Sequence, residues 1–200
     1  MNNLVTNKIR LGFLASGNGS NFLNIVGACH SKNINCDPIL LISNNSDSGA
    51  IQTAKKNNIK HFHISSKTNS NPDEEICKKM KEFDIDLIIL AGYMRKIGSV
   101  TLKEFKNRIL NIHPSLLPKH GGKGMFGENV HRAVLKSGDK FTGASVHLVN
   151  EKFDEGRILG QMQVEVKTGD SVQSLASRVL RAEHQLYPKI IAKYVNELSK

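Results

Sequence analysis

The sequence predicts a single α/β domain, doubly wound and Rossmann-like, with a mostly parallel sheet carrying helices on both faces. Two observations carry that expectation. Short apolar runs alternate with amphipathic stretches through the first half of the chain. The apolar runs are also continuous, as strands buried on both faces require.

The elements follow in order. "IRLGFLA" is the first strand, and "SGNGSN" ends it and opens a helix over Asn21 to Ser31. "PILLIS" precedes a helix from Ser48 to Asn57, and "HFHI" precedes one from Pro72 to Phe83. "DLIILAG" leads to Val100 to Lys106, and "RILNIH" is the fifth strand. After His113 the rhythm changes. A long loop, "KHGGKGMFGENVH", leads into a helix over Glu128 to Ser137, followed by the strands "TGASVHLV" and "ILGQMQVEV". An amphipathic helix from Ser171 to Leu198 closes the chain, and Pro188 should bend or interrupt it. No linker, repeat or low-complexity segment divides residues 1–200.

Composition limits the functions. Two hundred residues suit one domain with a proper core. No apolar run approaches the ~20 residues of a spanning helix. Leu11 to Ala15 follows Lys8 and Arg10 as a secretory core would, but it breaks at once into "SGNGSN", so no signal is expected. Cys29, Cys36 and Cys77 are odd in number and lack metal-ligand spacing. Reduced thiols in a cytoplasmic protein, with no metal, are expected. Net charge is 28 − 18 = +10. The basic residues lie along helix surfaces and Trp is absent, so no nucleic-acid partner is expected. The same field would serve a small polyanionic substrate.

In such sheets ligands gather beyond the carboxyl ends of the strands. Three ends carry chemistry. At the first, Gly17 and Gly19 permit positive φ, and Gly19, Ser20 and Asn21 face the positive end of a helix dipole, a small anion site. It lacks the third glycine of a dinucleotide fingerprint and the Gly-Lys-Ser/Thr of a Walker loop. "AGYMRKIG" follows the central strand, where Met94 and Ile97 offer apolar surface for a flat ring and Arg95 a charge. At the third, Asn111 and His113 stand two apart and point to one side of an extended chain. An amide can donate to an oxyanion and an imidazole can carry a proton. Asp154, in a turn between two strands, is the carboxylate expected to raise the pKa of His113, with Glu155 as the alternative.

Taken together, "SGNGSN", "AGYMR", "NIHPSLLP", "GASVHLV", "FDEG" and "AEHQLYP", in that order from Ile9 to Tyr194, resemble the folate-dependent phosphoribosylglycinamide formyltransferases of purine synthesis. The resemblance implies that Gly19, Ser20, Asn21 and Glu183 bind glycinamide ribonucleotide. It implies that Met94, Arg95, Lys96, Ile97 and Asn111 bind 10-formyltetrahydrofolate, a co-substrate rather than a tightly held cofactor. Lys96 stands where the family places an apolar residue. The catalytic trio is then Asn111, His113 and Asp154, and Leu117–Pro118 is a candidate cis bond. Residues 8–113 would bind the phosphate substrate and 114–200 complete the folate and catalytic site, in a monomer or homodimer. Two departures stand out. The loop 120–127 is longer and richer in glycine, and residues 69–71 lack the arginine that some relatives set against the folate's glutamate tail.

Three rivals make different demands. Formyltetrahydrofolate hydrolase shares the trio but resembles a chain with an added N-terminal regulatory domain, whereas a strand is expected here within ten residues. Methionyl-tRNA formyltransferase adds a C-terminal RNA-binding domain where a closing helix is expected. A non-catalytic binding protein for anionic metabolites would need the anion loop but not the trio.

Overall fold

The computed structural model describes residues 8–198. Residues 1–7 and 199–200, which the expected single domain includes, lie outside the described residues. In chain order the elements are β1 (Ile9–Ala15), α1 (Ser20–His30), β2 (Cys36–Ser43), α2 (Gly49–Lys56), β3 (Lys60–His63), α3 (Pro72–Glu82), β4 (Leu87–Leu90), α4 (Ser99–Glu104), β5 (Ile109–His113), α5 (Glu128–Ser137), β6 (Phe141–Leu148), β7 (Ile158–Glu165) and α6 (Val172–Leu198). Every element expected from the sequence is present, its ends displaced by two residues at most.

The strands form one sheet in the order β3-β2-β1-β4-β5-β6-β7. The first five run parallel, β6 lies antiparallel to β5, and β7 antiparallel to β6. Side chains alternate across the sheet. Leu11, Phe13, Leu87, Ile89, Leu110 and Ile112 pack on the face covered by α1, α2 and α6. Leu14, Leu40, Ile88, Leu90 and Ile109 pack on the face covered by α3 and α4. Each such fully buried side chain contributes ~1.5–3 kcal/mol of transfer free energy. This two-sided burial explains the unbroken apolar runs.

Of the two outcomes expected at Pro188, a bend or an interruption, the second does not occur: helix α6 runs on through it. A proline there removes the N–H that would bond the His184 carbonyl four residues earlier. Asn24 of α1 replaces it, donating its Nδ2 hydrogen to His184 O at 2.7 Å. Beside this, the buried Tyr187 hydroxyl shares its hydrogen between Leu90 O and Leu110 O at 3.1 and 2.9 Å. The helix is thereby fixed across β4 and β5, next to the strand ends that matter. Among the described residues no helix is long and apolar enough to cross a membrane.

Candidate active site

A cleft of about 740 Å³ opens at the carboxyl ends of β4 and β5, within the range of small-molecule sites. Asn21, Met94, Arg95, Lys96, Ile97, Asn111, His113, Asp154 and Glu183 all line it. Gly19 and Ser20 do not; they stand behind Asn21 in the turn that opens α1.

That turn is built from backbone. Gly19 sits in the left-handed region at φ 74° and caps α1 without a side-chain hydrogen bond. The first helical N–H groups therefore remain available to an anion. A Cβ at Gly19 would lie 2.7 Å from that of Ala50, so glycine is required by space as well as by φ. Ser16 ties this turn to the next strand end: its Oγ donates to Asn44 Oδ1 at 2.5 Å and accepts the Met94 N–H at 2.8 Å. Asn21 donates from Nδ2 to Glu183 Oε2 at 2.6 Å, while its Oδ1 is buried without a partner. Burial pushes the Glu183 carboxyl up to about 7, although the Asn21 hydrogen bond works the other way.

Strand pairing assembles the other group. Register sets Asn111 opposite His147 and His113 opposite Ser145. His147 Nδ1 lies 2.9 Å from Leu148 O, an atom that only accepts, so Nδ1 carries a proton. In the neutral ring Nε2 then accepts one Asn111 amide hydrogen at 3.1 Å, leaving the second for a ligand. His113 is oriented the same way: Nε2 donates to His120 O at 2.8 Å, while Nδ1 faces Asp154 Oδ2 at 3.6 Å. Asp154 lies between the two histidines, with Oδ1 3.5 Å from His147 Nε2, and Oδ2 accepts the Gly122 N–H at 2.9 Å. At φ 96°, Gly122 turns its N–H to that carboxylate in a conformation L side chains rarely adopt.

Asp154, not Glu155, is thus the carboxylate beside His113. Glu155 is exposed and paired with Lys152 at 3.2 Å. The expected rise in the His113 pKa is overturned. Burial of the ring lowers it; Asp154 and the His120 carbonyl oppose that but do not outweigh it. Free His113 is therefore biased toward the neutral form. Burial alone would raise the Asp154 carboxyl, but the His147 and His113 rings and the Gly122 N–H leave it below its ordinary range.

Along the opposite wall, Ile97 is buried and Met94 half exposed. The Lys96 ammonium lies 5.5 Å from the centre of the exposed Phe153 ring, so its stem lies along the wall and its charge rests on an aromatic face. That contact accommodates a lysine beside the apolar Met94 and Ile97. A second cleft of about 640 Å³ adjoins across Tyr93 to Ile97 and includes Lys67 and Asn71.

Sequence reasoning missed two histidines. His147 had the signal that exposed Asn111 and His113: Ser145 and His147 are polar residues two apart in an apolar strand, and both are buried. His131 on α5 is buried in the cleft wall with Nδ1 unpartnered, and nothing in "NVHRAVL" distinguishes it from a surface helix position. The Leu117–Pro118 bond is cis, as anticipated.

A doubly wound sheet with its cleft at the carboxyl ends of the central strands places the chain among α/β proteins that bind small molecules at a switch in strand order. Residues 9–191 match the formyl transferase family model, and the chain belongs to that family. Among named relatives it is 39% identical to the chloroplastic phosphoribosylglycinamide formyltransferase of Arabidopsis thaliana, over 96% of this chain and 67% of that one. It is 38% identical to the Vigna unguiculata enzyme of the same name, over 94% of this chain and 61% of that one. The chain thus spans about two thirds of the length of these plant relatives. Glycinamide ribonucleotide transformylase 1 from Symbiobacterium toebii superposes with a TM-score of 0.90 at 35% identity, over 95% of this chain and 89% of that one.

Proposed function

We propose that this protein transfers the formyl group of 10-formyltetrahydrofolate to the amine of glycinamide ribonucleotide, giving formylglycinamide ribonucleotide and tetrahydrofolate in purine synthesis. The observation that carries the reading is the convergence of Asn111, His113 and Asp154 on a cleft reached from the α1 anion turn.

Gly19, Ser20 and Asn21 hold the phosphate and Glu183 the ribonucleotide beyond it. Residues 8–113 supply the phosphate turn, and 114–200 add Glu183 and complete the folate and catalytic site. The folate ring lies against Met94, Arg95, Lys96 and Ile97. Its acidic tail runs into the adjoining cleft, where Lys67, Arg95 and Lys96 are the cations.

The substrate amine attacks the formyl carbon and a C–N bond forms. The amide hydrogen that Asn111 does not spend on His147 donates to the oxyanion. His113 takes the proton the amine releases and returns it to N10 of the folate as the C–N10 bond breaks. Asp154, 3.6 Å away, stabilises the transient imidazolium. Starting neutral suits the first of these steps, since only an unprotonated nitrogen can accept. The three buried cysteines fit a reducing cytoplasm.

An absorbance assay with 10-formyltetrahydrofolate, offering glycinamide ribonucleotide, water or initiator tRNA as acceptor, tests the reading. Turnover should require the ribonucleotide. Equal deformylation without it would favour a hydrolase, and transfer to tRNA the other formyltransferase. Phosphate binding that survives in a parent without turnover would favour the binding protein.

A further inference from the structure

His113 is steered from behind by a backbone carbonyl, and that carbonyl is itself held in an uncommon conformation. His120 adopts φ 54°, a left-handed geometry that costs a non-glycine residue free energy and persists only where its surroundings enforce it. Upstream, the chain is stitched down as far as Lys119. Ser115 Oγ donates to Lys119 O at 2.6 Å, Ser145 Oγ donates to Ser115 O at 2.6 Å, and Gln161 Nε2 donates to Leu117 O at 3.0 Å. Downstream begins the glycine loop. What fixes His120 is one carboxylate: Asp139 Oδ2 meets His120 Nε2 at 2.8 Å and Asp139 Oδ1 accepts Lys119 Nζ at 2.9 Å. Asp139 follows the Gly138 cap of α5 and precedes β6, so it is anchored on two regular elements. The hydrogen bonds from His120 and Lys119 hold its carboxyl far below the usual range, which keeps the charge in place.

We propose that Asp139 is a positioning residue for His113: by gripping the His120 ring it aims the His120 carbonyl at His113 Nε2 and leaves Nδ1, beside Asp154, as the nitrogen that moves the proton. The chemistry is that of histidine tautomers. A carbonyl oxygen only accepts, so Nε2 keeps its hydrogen and the lone pair resides on Nδ1. The proton from the attacking amine is then taken at Nδ1, where Asp154 faces the new charge, and passed on to N10. Without the grip, the peptide after His120 can relax, Nε2 loses its acceptor, and the ring distributes between two tautomers, one of them unproductive. The inference deepens the proposed formyl transfer and rests on it for its rate readout alone.

The test reads the tautomer directly. Two-bond ¹H–¹⁵N spectra of uniformly labelled protein, with His113 assigned by its loss in His113→Asn, should show the Nε2–H form in the parent and a mixture in Asp139→Ala. The same variant should lose roughly 10-fold in kcat, the lower end of what losing the outer hydrogen-bond partner of a metal-bound histidine costs, with both KM values kept. Lys119→Met, which spares the His120 contact, should keep the parent's His113 pattern. His120→Ala should reproduce the mixture, while His120→Gln, whose amide nitrogen reaches as far as the ring Nε2, should recover the Nε2–H form. If Asp139→Ala does not fold, the two His120 variants decide on the same spectrum. A parent-like His113 spectrum and kcat in Asp139→Ala, or a lowered Tm with both unchanged, would overturn the proposal. A parent that transfers no formyl group would count against the proposed function, and the spectra would still decide the role of Asp139.

Discussion

Asn111 and His113 stand at a seam between two kinds of construction. On the parallel side, β1, β4 and α1 present their site groups largely from backbone: helical N–H groups left free behind Gly19, and the Met94 N–H fixed by Ser16. On the antiparallel side, β5, β6 and the turn before β7 present side chains, and each side chain is oriented by another. Asn111 bonds His147, His147 bonds Leu148 O, and Asp154 lies between both histidines. Backbone sites depend on φ and on space. Side-chain sites depend on tautomers and charges. The two sides should therefore fail differently when altered.

The largest effect is expected at the seam. Asn111→Ala removes the proposed oxyanion donor and should slow formyl transfer ~100- to ~1,000-fold, with ribonucleotide affinity kept. A rate within a few-fold of the parent would erase the distinction between the two sides.

Next comes Glu183, buried against Asn21. Its proton is held more tightly folded than unfolded. Its contribution to stability is therefore fully present below the ordinary 4.5 and is lost as pH rises through about 7. Glu183→Gln should remove that loss and make the variant more stable than the parent at pH 8, by up to ~3 kcal/mol on the linkage relation. Thermal melts of both proteins across pH 4 to 9 check it. A parent whose Tm does not fall through this window would place the carboxylate in a wetter site than its burial indicates.

Gly19→Val tests the parallel side alone. A β-branched residue at φ 74° meets Ala50, and strain of ~1–3 kcal/mol should move the turn. The KM for the ribonucleotide should rise roughly tenfold while that for the folate stays put. Equal rises in both would show that the two sides are not separable.

The same division explains what the sequence disclosed. Parallel strands buried on both faces read as unbroken apolar runs, so the fold was legible, and a polar pair such as Asn111 and His113 stood out against them. Glycine spacing likewise pointed to the tight turn that opens α1, although only Gly19, not Gly17, takes a positive φ there. The antiparallel side was less legible because its residues act through contacts remote in sequence. Asp154 could be named as a partner, but the balance between its charge and the burial of His113 is a property of the packed site. Nor could Pro188 reveal that Asn24, far away in the chain, would satisfy the carbonyl it frees.

The central claim is that burial sets His113 toward neutrality while Asp154 holds it back, so that the ring can both accept and return a proton. Following the His113 ring signals by NMR across pH, in the parent and in Asp154→Asn, measures this directly. The parent should titrate below the ordinary 6.5, because burial outweighs the carboxylate. Asp154→Asn should titrate lower still and turn over at least ~100-fold more slowly, since the imidazolium formed in transit loses its counter-charge. A parent titrating above 6.5, or an Asp154→Asn variant titrating where the parent does with activity intact, would contradict the account.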